Sequence, residues 1–450
     1  MQSNHSLRLT RREAIARPPL VITDLLDTVF PTVYSSFVAL FDGQKPWLKT
    51  VDKLQLQISA NPYSQFQIRR VNRIAYGLTT FEDGGMARID DEGWTEVQHA
   101  MMFAAQVCEI VEQATDGKGR AAYIKRIRGA FANPDELRAI RFEHLTAIAL
   151  YRQGASIQWP EIAGGTNRFD ILATDVNGNV IEVECKSCSP DKGRAITEQA
   201  AAQFFPHMIE RLQAIAEPGE LIMVKVRLPK RLPTATEDLV DLAAGVSRAI
   251  HAEESLAQDD VSIECHRYEM SLQGAANDPA RINQSINDRA SLDFNGLEGH
   301  RVISYCPDDL AGYCVEVCSD RPHSFFEAAW KTAKHAIQNQ MSRTRPGMLV
   351  LRLEGLGTET LERLAEEGPN NLAKFATMVL LDERHQHLAA VAFVSDETMN
   401  ETTYASLTPQ SSTYVFDRPS GPFSELNLGR NLFGLATQTR SPRTNKSKRC

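Results

Sequence analysis

The sharpest local pattern in the chain is a two-residue alternation of apolar and polar positions on both sides of Val176-Asn177-Gly178, in the stretch RFDILATDVNGNVIEVECK from 168 to 186. Alternation of that period predicts two short strands, and the Asn-Gly pair between them predicts a hairpin. Two loop lengths suit these turn residues, and they differ in register by one residue. A two-residue loop would set Ile171 against Glu184 and Asp170 against Cys185, mixing charged and apolar side chains on both faces. A three-residue loop with Gly178 left-handed sets Phe169, Ile171 and Ala173 against Cys185, Val183 and Ile181 on one face. Asp170 then meets Glu184, and Arg168 meets Lys186, on the other. A slip of one residue would turn the apolar set outward, so the three-residue register is expected.

Elsewhere apolar residues recur every three or four positions. Segments 24–41 and 94–115 show this helical spacing, with Asp116-Gly117 ending the second, so 1–117 is expected as an N-terminal helical domain that positions substrate or mediates assembly. His99 and the Met-rich positions 101–103 are expected in its core. A third helix should start at Pro134, with Asn133 as N-cap and Asp135-Glu136 in the first turn, and end at Gly154. Leu137, Ile140, His144, Ile148 and Tyr151 make one stripe, while Phe142, Leu145 and Ala149 cover another side. That helix is apolar nearly all round and should be buried. Glu143 lies between Ala139, Ala147 and Leu150, where a carboxylate is costly unless it meets a cation. A metal ion and a buried arginine would each serve.

After the hairpin, a turn at 190–193, a helix over 195–216 bent by Pro206 and a strand at 221–228 would complete a core spanning 118–235. A helix, a strand at 261–266 and a polar loop at 274–299 make 236–300 a connecting region. Segment 301–400 reads as a C-terminal α/β domain, with strands at 301–305, 313–318, 348–353, 377–381 and 388–394 and a helix over 325–341. Its Pro307-Asp308 and Val315-Glu316-Val317-Cys318 repeat the hairpin's order, with Cys318 where a lysine should stand. A second copy of the core would thus be inactive, and an unrelated α/β domain or further strands of the same sheet are the other readings. Segment 401–450 is expected to be a basic, disordered tail, with positive charges at 430, 440, 443, 446, 448 and 449.

Directly opposed residues on paired strands hold their Cβ atoms about 4.5–5.5 Å apart, so Asp170 and Glu184 should both reach one cation. Mg²⁺ takes oxygen ligands and keeps several waters, and Lys186 follows on the same face. A solvated ribbon with a cross-strand salt bridge would alternate in the same way. The like charge of the opposed pair counts against that reading.

Asp170, thirteen residues, then Glu184-Cys185-Lys186 resembles the PD-(D/E)xK signature of the restriction-endonuclease-like nucleases, with Phe169 in place of the signature proline. Members of that superfamily often add a glutamate from the preceding helix, and Glu143 matches it. Some use a glutamine on the helix after the lysine, a place that Gln199 or Gln203 could fill. The resemblance covers roughly residues 120–230. It implies an α/β fold with a restriction-endonuclease-like core, a mixed sheet flanked by helices, here joined to an N-terminal helical region and a second C-terminal α/β region. It implies an endonuclease dependent on Mg²⁺ or Mn²⁺, with Glu143, Asp170, Glu184 and Lys186 as catalytic residues and Asp170, Glu184 and Glu143 as metal ligands. The substrate would be nucleic acid, DNA rather than RNA, cut to a 5′-phosphate and a 3′-hydroxyl. Defence against foreign DNA, and action as a homodimer or with a partner protein, go with the same resemblance.

Composition bounds these readings. The 450 residues are 42% hydrophobic, enough for two to four domains with sizeable cores. No run of eighteen apolar residues and no secretory signal stand in the chain, and eight irregularly spaced cysteines suit a reducing compartment, so a cytoplasmic protein without membrane association is expected. A net charge of −8 argues against a surface coated for indiscriminate nucleic-acid binding. Locally, 118–152 carries eight Lys/Arg against three acids, and Lys225, Arg227, Lys230 and Arg231 add four cations, as a phosphate-binding surround requires. Cys185-x-x-Cys188 with Cys314 and Cys318 offers a zinc reading, weakened because strand residues three apart point to opposite faces. A non-catalytic nucleic-acid-binding or assembly protein on a nuclease-like platform, and a zinc-stabilised module, stand as the alternatives.

Overall fold

The computed structural model describes residues 21–433 apart from 88–90, 164–167, 190, 253–260, 271–278, 295–298, 308–309, 323, 356–357, 359–360, 363–364, 366–371, 397 and 402–405. In chain order its elements begin with β1 (Leu25–Leu26), α1 (Phe30–Ala39), α2 (Pro46–Ala60), α3 (Gln65–Val71), α4 (Arg73–Gly84), α5 (Asp91–Gln113), α6 (Gly117–Ala130) and α7 (Pro134–Arg152). Next come β2 (Ser156–Gln158), β3 (Ile171–Thr174), β4 (Val180–Cys188), α8 (Glu198–Gln213), β5 (Glu220–Leu228), α9 (Thr236–Ala252), β6 (Ser262–Glu269) and α10 (Pro279–Asp293). The chain closes through β7 (His300–Cys306), β8 (Ala311–Ser319), α11 (Phe325–Asn339), β9 (Gly347–Leu353), α12 (Leu372–Leu380), β10 (Leu388–Val394), β11 (Thr398–Glu401), β12 (Ser406–Gln410), β13 (Thr413–Asp417) and α13 (Leu428–Phe433). The protein is therefore α/β, and no helix among the described residues is long and apolar enough to cross a membrane.

Two compact units divide the chain: 1–50, 72–190 and 329–450 form one, and 51–71 with 191–328 form the other. The first is built on a six-stranded mixed sheet in the order β13-β10-β9-β4-β3-β2. The strands β2, β3 and β4 pair antiparallel, β4 lies parallel to β9, and β9 parallel to β10. GMLVLRL of β9 and LAAVAFV of β10 are buried throughout, as continuous apolar runs are when both faces of a parallel pair are covered. Helix α7 packs against β4, with Arg352 of β9 stacked 5.4 Å from the Phe142 ring. Helix α12 covers β10, where Phe375 and Phe393 meet edge to face at 5.6 Å.

Three expectations are corrected in this unit. The helical segment 1–117 is not a separate domain, because α5 carries its core into α7: Phe103 stands 5.4 Å from the buried His144 ring. The strand expected at 377–381 is the end of α12, since a short apolar run fits a buried helix as well as a strand. The segment 401–450 is not wholly a disordered tail, for β13 adds an edge to the large sheet and α13 packs on it. Of its positive charges, Arg430 lies in α13, and those at 440, 443, 446, 448 and 449 lie outside the described residues.

The second unit is a four-stranded sheet, β6-β5-β8-β7, in which β5 and β8 are parallel and the outer pairs antiparallel. Phe204, Met208 and Val246 of α8 and α9 pack with Val224 and Val315 on one face, and Ile282, Ile286 and Phe294 pack with Met223 and Cys314 on the other. The core expected over 118–235 is thus cut after β4, because β5 pairs with β8 in this unit and β9 takes the place beside β4. The polar stretch at 274–299 is not simply a loop, since its apolar positions 282, 286 and 290 hold α10 against the sheet. Nor is 301–400 one domain, as β7 and β8 belong here and β9 and β10 to the first unit. Glu316 of the hairpin β7–β8 is buried against Arg301 at 2.6 Å and Lys225 at 3.4 Å. It is an ion-pair partner, and Asp308 lies outside the described residues.

Candidate active site

The hairpin forms in the three-residue register: Ile171 faces Val183 and Ala173 faces Ile181. Its turn is fixed by Asp175, whose carboxylate accepts from the Asn177 and Asn179 amides and from Asn179 Nδ2, all at 2.9 Å, while Gly178 takes φ 83°. At the other end the ladder stops at Ile171. The Cys185 amide then donates to the Asp170 carboxylate at 2.8 Å, so the side chain substitutes for a strand partner and is held beside Glu184.

Glu184 is fully buried. Lys186 Nζ stands 2.5 Å from its Oε1, yet neither carboxylate oxygen has a well-directed hydrogen bond among the described residues. Burial pushes the Glu184 carboxyl up to about 7, against the pull of Lys186. Burial, and after it the Glu184 charge, raises Asp170. For Lys186, burial favours the neutral amine, but Glu184 and Asp170 outweigh it and keep the ammonium charged. Asp170, Glu184 and Lys186 therefore form a buried cluster in which burial raises each carboxyl and the lysine opposes that rise.

Glu143 projects from α7 into the same field: burial raises its carboxyl, and Asp170 raises it further. Its cation is protein. Arg126 of α6 grips it with two nitrogens, at 2.9 and 3.3 Å, while also reaching Glu136 and Glu161 at 2.6 Å. The arginine alternative read from the sequence is thus the contact observed. Behind it Tyr123 Oη lies 2.9 Å from His144 Nε2, and burial holds that imidazole neutral.

Gln199 and Gln203 are exposed on α8, which belongs to the second unit. Lys225 is buried against Glu316 rather than presented to phosphate. Cys185 packs on the apolar face with Val183, and Cys314 and Cys318 belong to the second unit, so the four cysteines do not share one strand face. Among the described residues no three His, Cys, Asp or Glu side chains converge as a metal cage. His99 is buried, with Arg73 Nη1 3.0 Å from its Nε2.

Glu182 was missed. The same alternation places it two residues before Glu184 on the polar face, a signal present in the sequence. It is fully buried, accepting from the Ser342 amide at 2.8 Å and Arg345 Nη1 at 3.2 Å. It ties the loop entering β9 to β4, and those partners lie 160 and 163 residues away in sequence. No family model, curated protein or solved structure matches this chain.

Proposed function

We propose that the protein is a metal-dependent endonuclease acting on nucleic acid, DNA rather than RNA, with a restriction-endonuclease-like core. The observation that carries this reading is the buried Glu184 carboxylate beside Asp170 and Lys186, short of hydrogen bonds at the open end of the hairpin. The order of elements supports it: a helix with Glu143, three antiparallel strands, then α11 and the parallel strand β9 beside β4. An oxygen-only pair of this kind fits Mg²⁺ or Mn²⁺, which take one or two carboxylates and fill the remaining positions with water and phosphate oxygens.

Asp170 and Glu184 would hold the ion. The chemistry it would supply there is Lewis-acid polarisation of the phosphodiester and acidification of a water. Lys186 keeps its proton through Glu184 and Asp170, and so presents a fixed positive charge where the attacking water and the pentavalent phosphate carry negative charge. Glu143, gripped by Arg126, would act as a positioning residue that holds the arginine beside the carboxylate pair. Defence against foreign DNA remains the biological role that this chemistry suits.

Cation binding is testable without turnover. A carboxyl whose folded pKa of about 7 lies above its unfolded value of about 4.3 retains a proton on folding, so its contribution to stability is present at low pH and lost as pH rises through 7. In EDTA the wild type should therefore lose more thermal stability between pH 5 and pH 8 than Glu184→Gln does. Mn²⁺ at about a hundredfold excess over its dissociation constant at pH 8 should return about 2.7 kcal/mol there, and less at pH 6 at the same concentration, in a thermal-shift titration. Equal behaviour of the two proteins at every pH, with no response to Mn²⁺ or Mg²⁺, would remove the metal site.

A further inference from the structure

The cations expected around the site divide sharply once their partners are known. Arg126 is held by three glutamates, Arg128 stands 3.9 Å from Asp42, Arg138 binds Asp135 and Glu354, Arg152 donates to two carbonyls, and Arg141 is buried. Lys118, Arg120 and Lys125 are exposed and make no ion pair among the described residues. All three stand on α6, whose Arg126 reaches Glu143.

Helix geometry gathers the two lysines and leaves Arg120 on the far side of the helix. At 100° per residue, Lys118, Ala122, Lys125 and Gly129 fall within about 60° of arc, with Ala121 beside them. The buried Gly119, Tyr123, Ile127 and Ala130 face the other way. Arg126 sits at the edge of the stripe and turns inward. The helix is seated firmly: Asp116 caps it through the Lys118 and Gly119 amides, and a Cβ at Gly119 would come within 2.6 Å of the Ile162 carbonyl, on the turn that leads toward the hairpin.

We propose that this face of α6 is the track on which the sugar-phosphate backbone of double-stranded DNA lies beside the candidate site; the inference rests on the nuclease reading and names its substrate. Lys118 and Lys125 are seven residues apart, about 10.5 Å along the axis, which spans about three nucleotides of one strand at 3.4 Å each. Ala121 and Ala122 between them leave the backbone room to approach. Single strands are gripped by aromatic side chains on which bases stack, and the exposed positions of α6 are Gly, Ala, Lys and Arg only. Contact is thus to phosphate, which fixes position without reading sequence.

Fluorescence anisotropy with a labelled DNA duplex in EDTA, over 50 to 200 mM KCl, tests this apart from catalysis. Each lysine that releases a counterion adds about 0.9 to the slope of log K against log salt, so Lys118→Ala/Lys125→Ala should lower the slope by about 1.8. The affinity gap from wild type should then narrow roughly tenfold across that salt range. Lys118→Arg/Lys125→Arg should keep the wild-type slope, which separates charge from any effect on folding. Arg248→Ala, which removes an exposed cation of α9, should leave it unchanged. An unchanged slope in the α6 alanine variant, loss of slope in Arg248→Ala instead, tighter wild-type binding to single strands or to anionic vesicles than to duplex, or no duplex binding at all would overturn the track. Since no metal is present, failure to cleave DNA would strike the nuclease reading and leave this result standing.

Discussion

Glu184→Gln is expected to do two opposite things. It should cut metal-stimulated strand cleavage by at least 10²–10³-fold, the scale on which a single electrostatic partner of a transition state is lost. It should also make the metal-free protein more stable at pH 8, by on the order of 1–3 kcal/mol in urea denaturation with EDTA present. The gain follows from the sign of the shift: the buried carboxylate is charged at pH 8 only at a cost, and glutamine carries no charge. Loss of the Lys186 contact takes back part of the gain. A residue kept for binding behaves in this way, whereas one kept for a salt bridge would destabilise the fold when neutralised. Marked destabilisation of Glu184→Gln at pH 8 would therefore sink its role as a ligand.

Arg126→Ala is expected to have the largest effect on folding, roughly 3–5 kcal/mol of destabilisation, because it leaves a buried carboxylate without its cation. Glu143, Glu136 and Glu161 all converge on that guanidinium, and Glu143 is the buried one. Pairing the change with Glu143→Gln should recover most of the loss, since the uncompensated charge goes with it. Glu143→Gln alone should lose far less metal-dependent cleavage than Glu184→Gln does, because Glu143 already has a partner. Denaturation curves of the single and double variants give the coupling directly. Additive single effects would mean that Arg126 and Glu143 act independently, contrary to the 2.9 and 3.3 Å contacts.

The hairpin was legible because its information is local. Asn177-Gly178 limits the loop, and the requirement that Phe169, Ile171 and Ala173 share a face with Ile181, Val183 and Cys185 leaves one register. The burial of α7 was legible for the same reason: apolar residues on every side of a helix have nowhere to go but inward. The neighbour of β4 was not. A parallel partner needs a crossover connection, and here 158 residues separate Cys188 from Gly347, so the nearer strand β5 looked like the natural continuation. Periodicity says that β5 is buried without saying by what.

The site's cations were legible as a count and not as contacts. Eight Lys/Arg in 118–152 suggested a basic surround, but sequence cannot show that one of them, Arg126, spends its charge on three glutamates while Lys118, Arg120 and Lys125 remain presented. Likewise Glu143 demanded a cation on grounds of burial alone, and the demand was met by an arginine seventeen residues earlier. Asp116 shows the same limit at smaller scale. Read as the end of α5, it is the cap that starts α6.

The most direct test of the central claim is conversion of supercoiled plasmid to nicked and linear forms in Mg²⁺ or Mn²⁺ and in EDTA, with single-stranded DNA and RNA alongside, comparing wild type with Lys186→Ala. Metal-dependent cleavage of the plasmid by the wild type, lost in EDTA and in Lys186→Ala, is the result this account predicts. Cleavage that persists unchanged in Lys186→Ala, or a wild type that binds DNA and cuts none of the substrates in either metal, would contradict it.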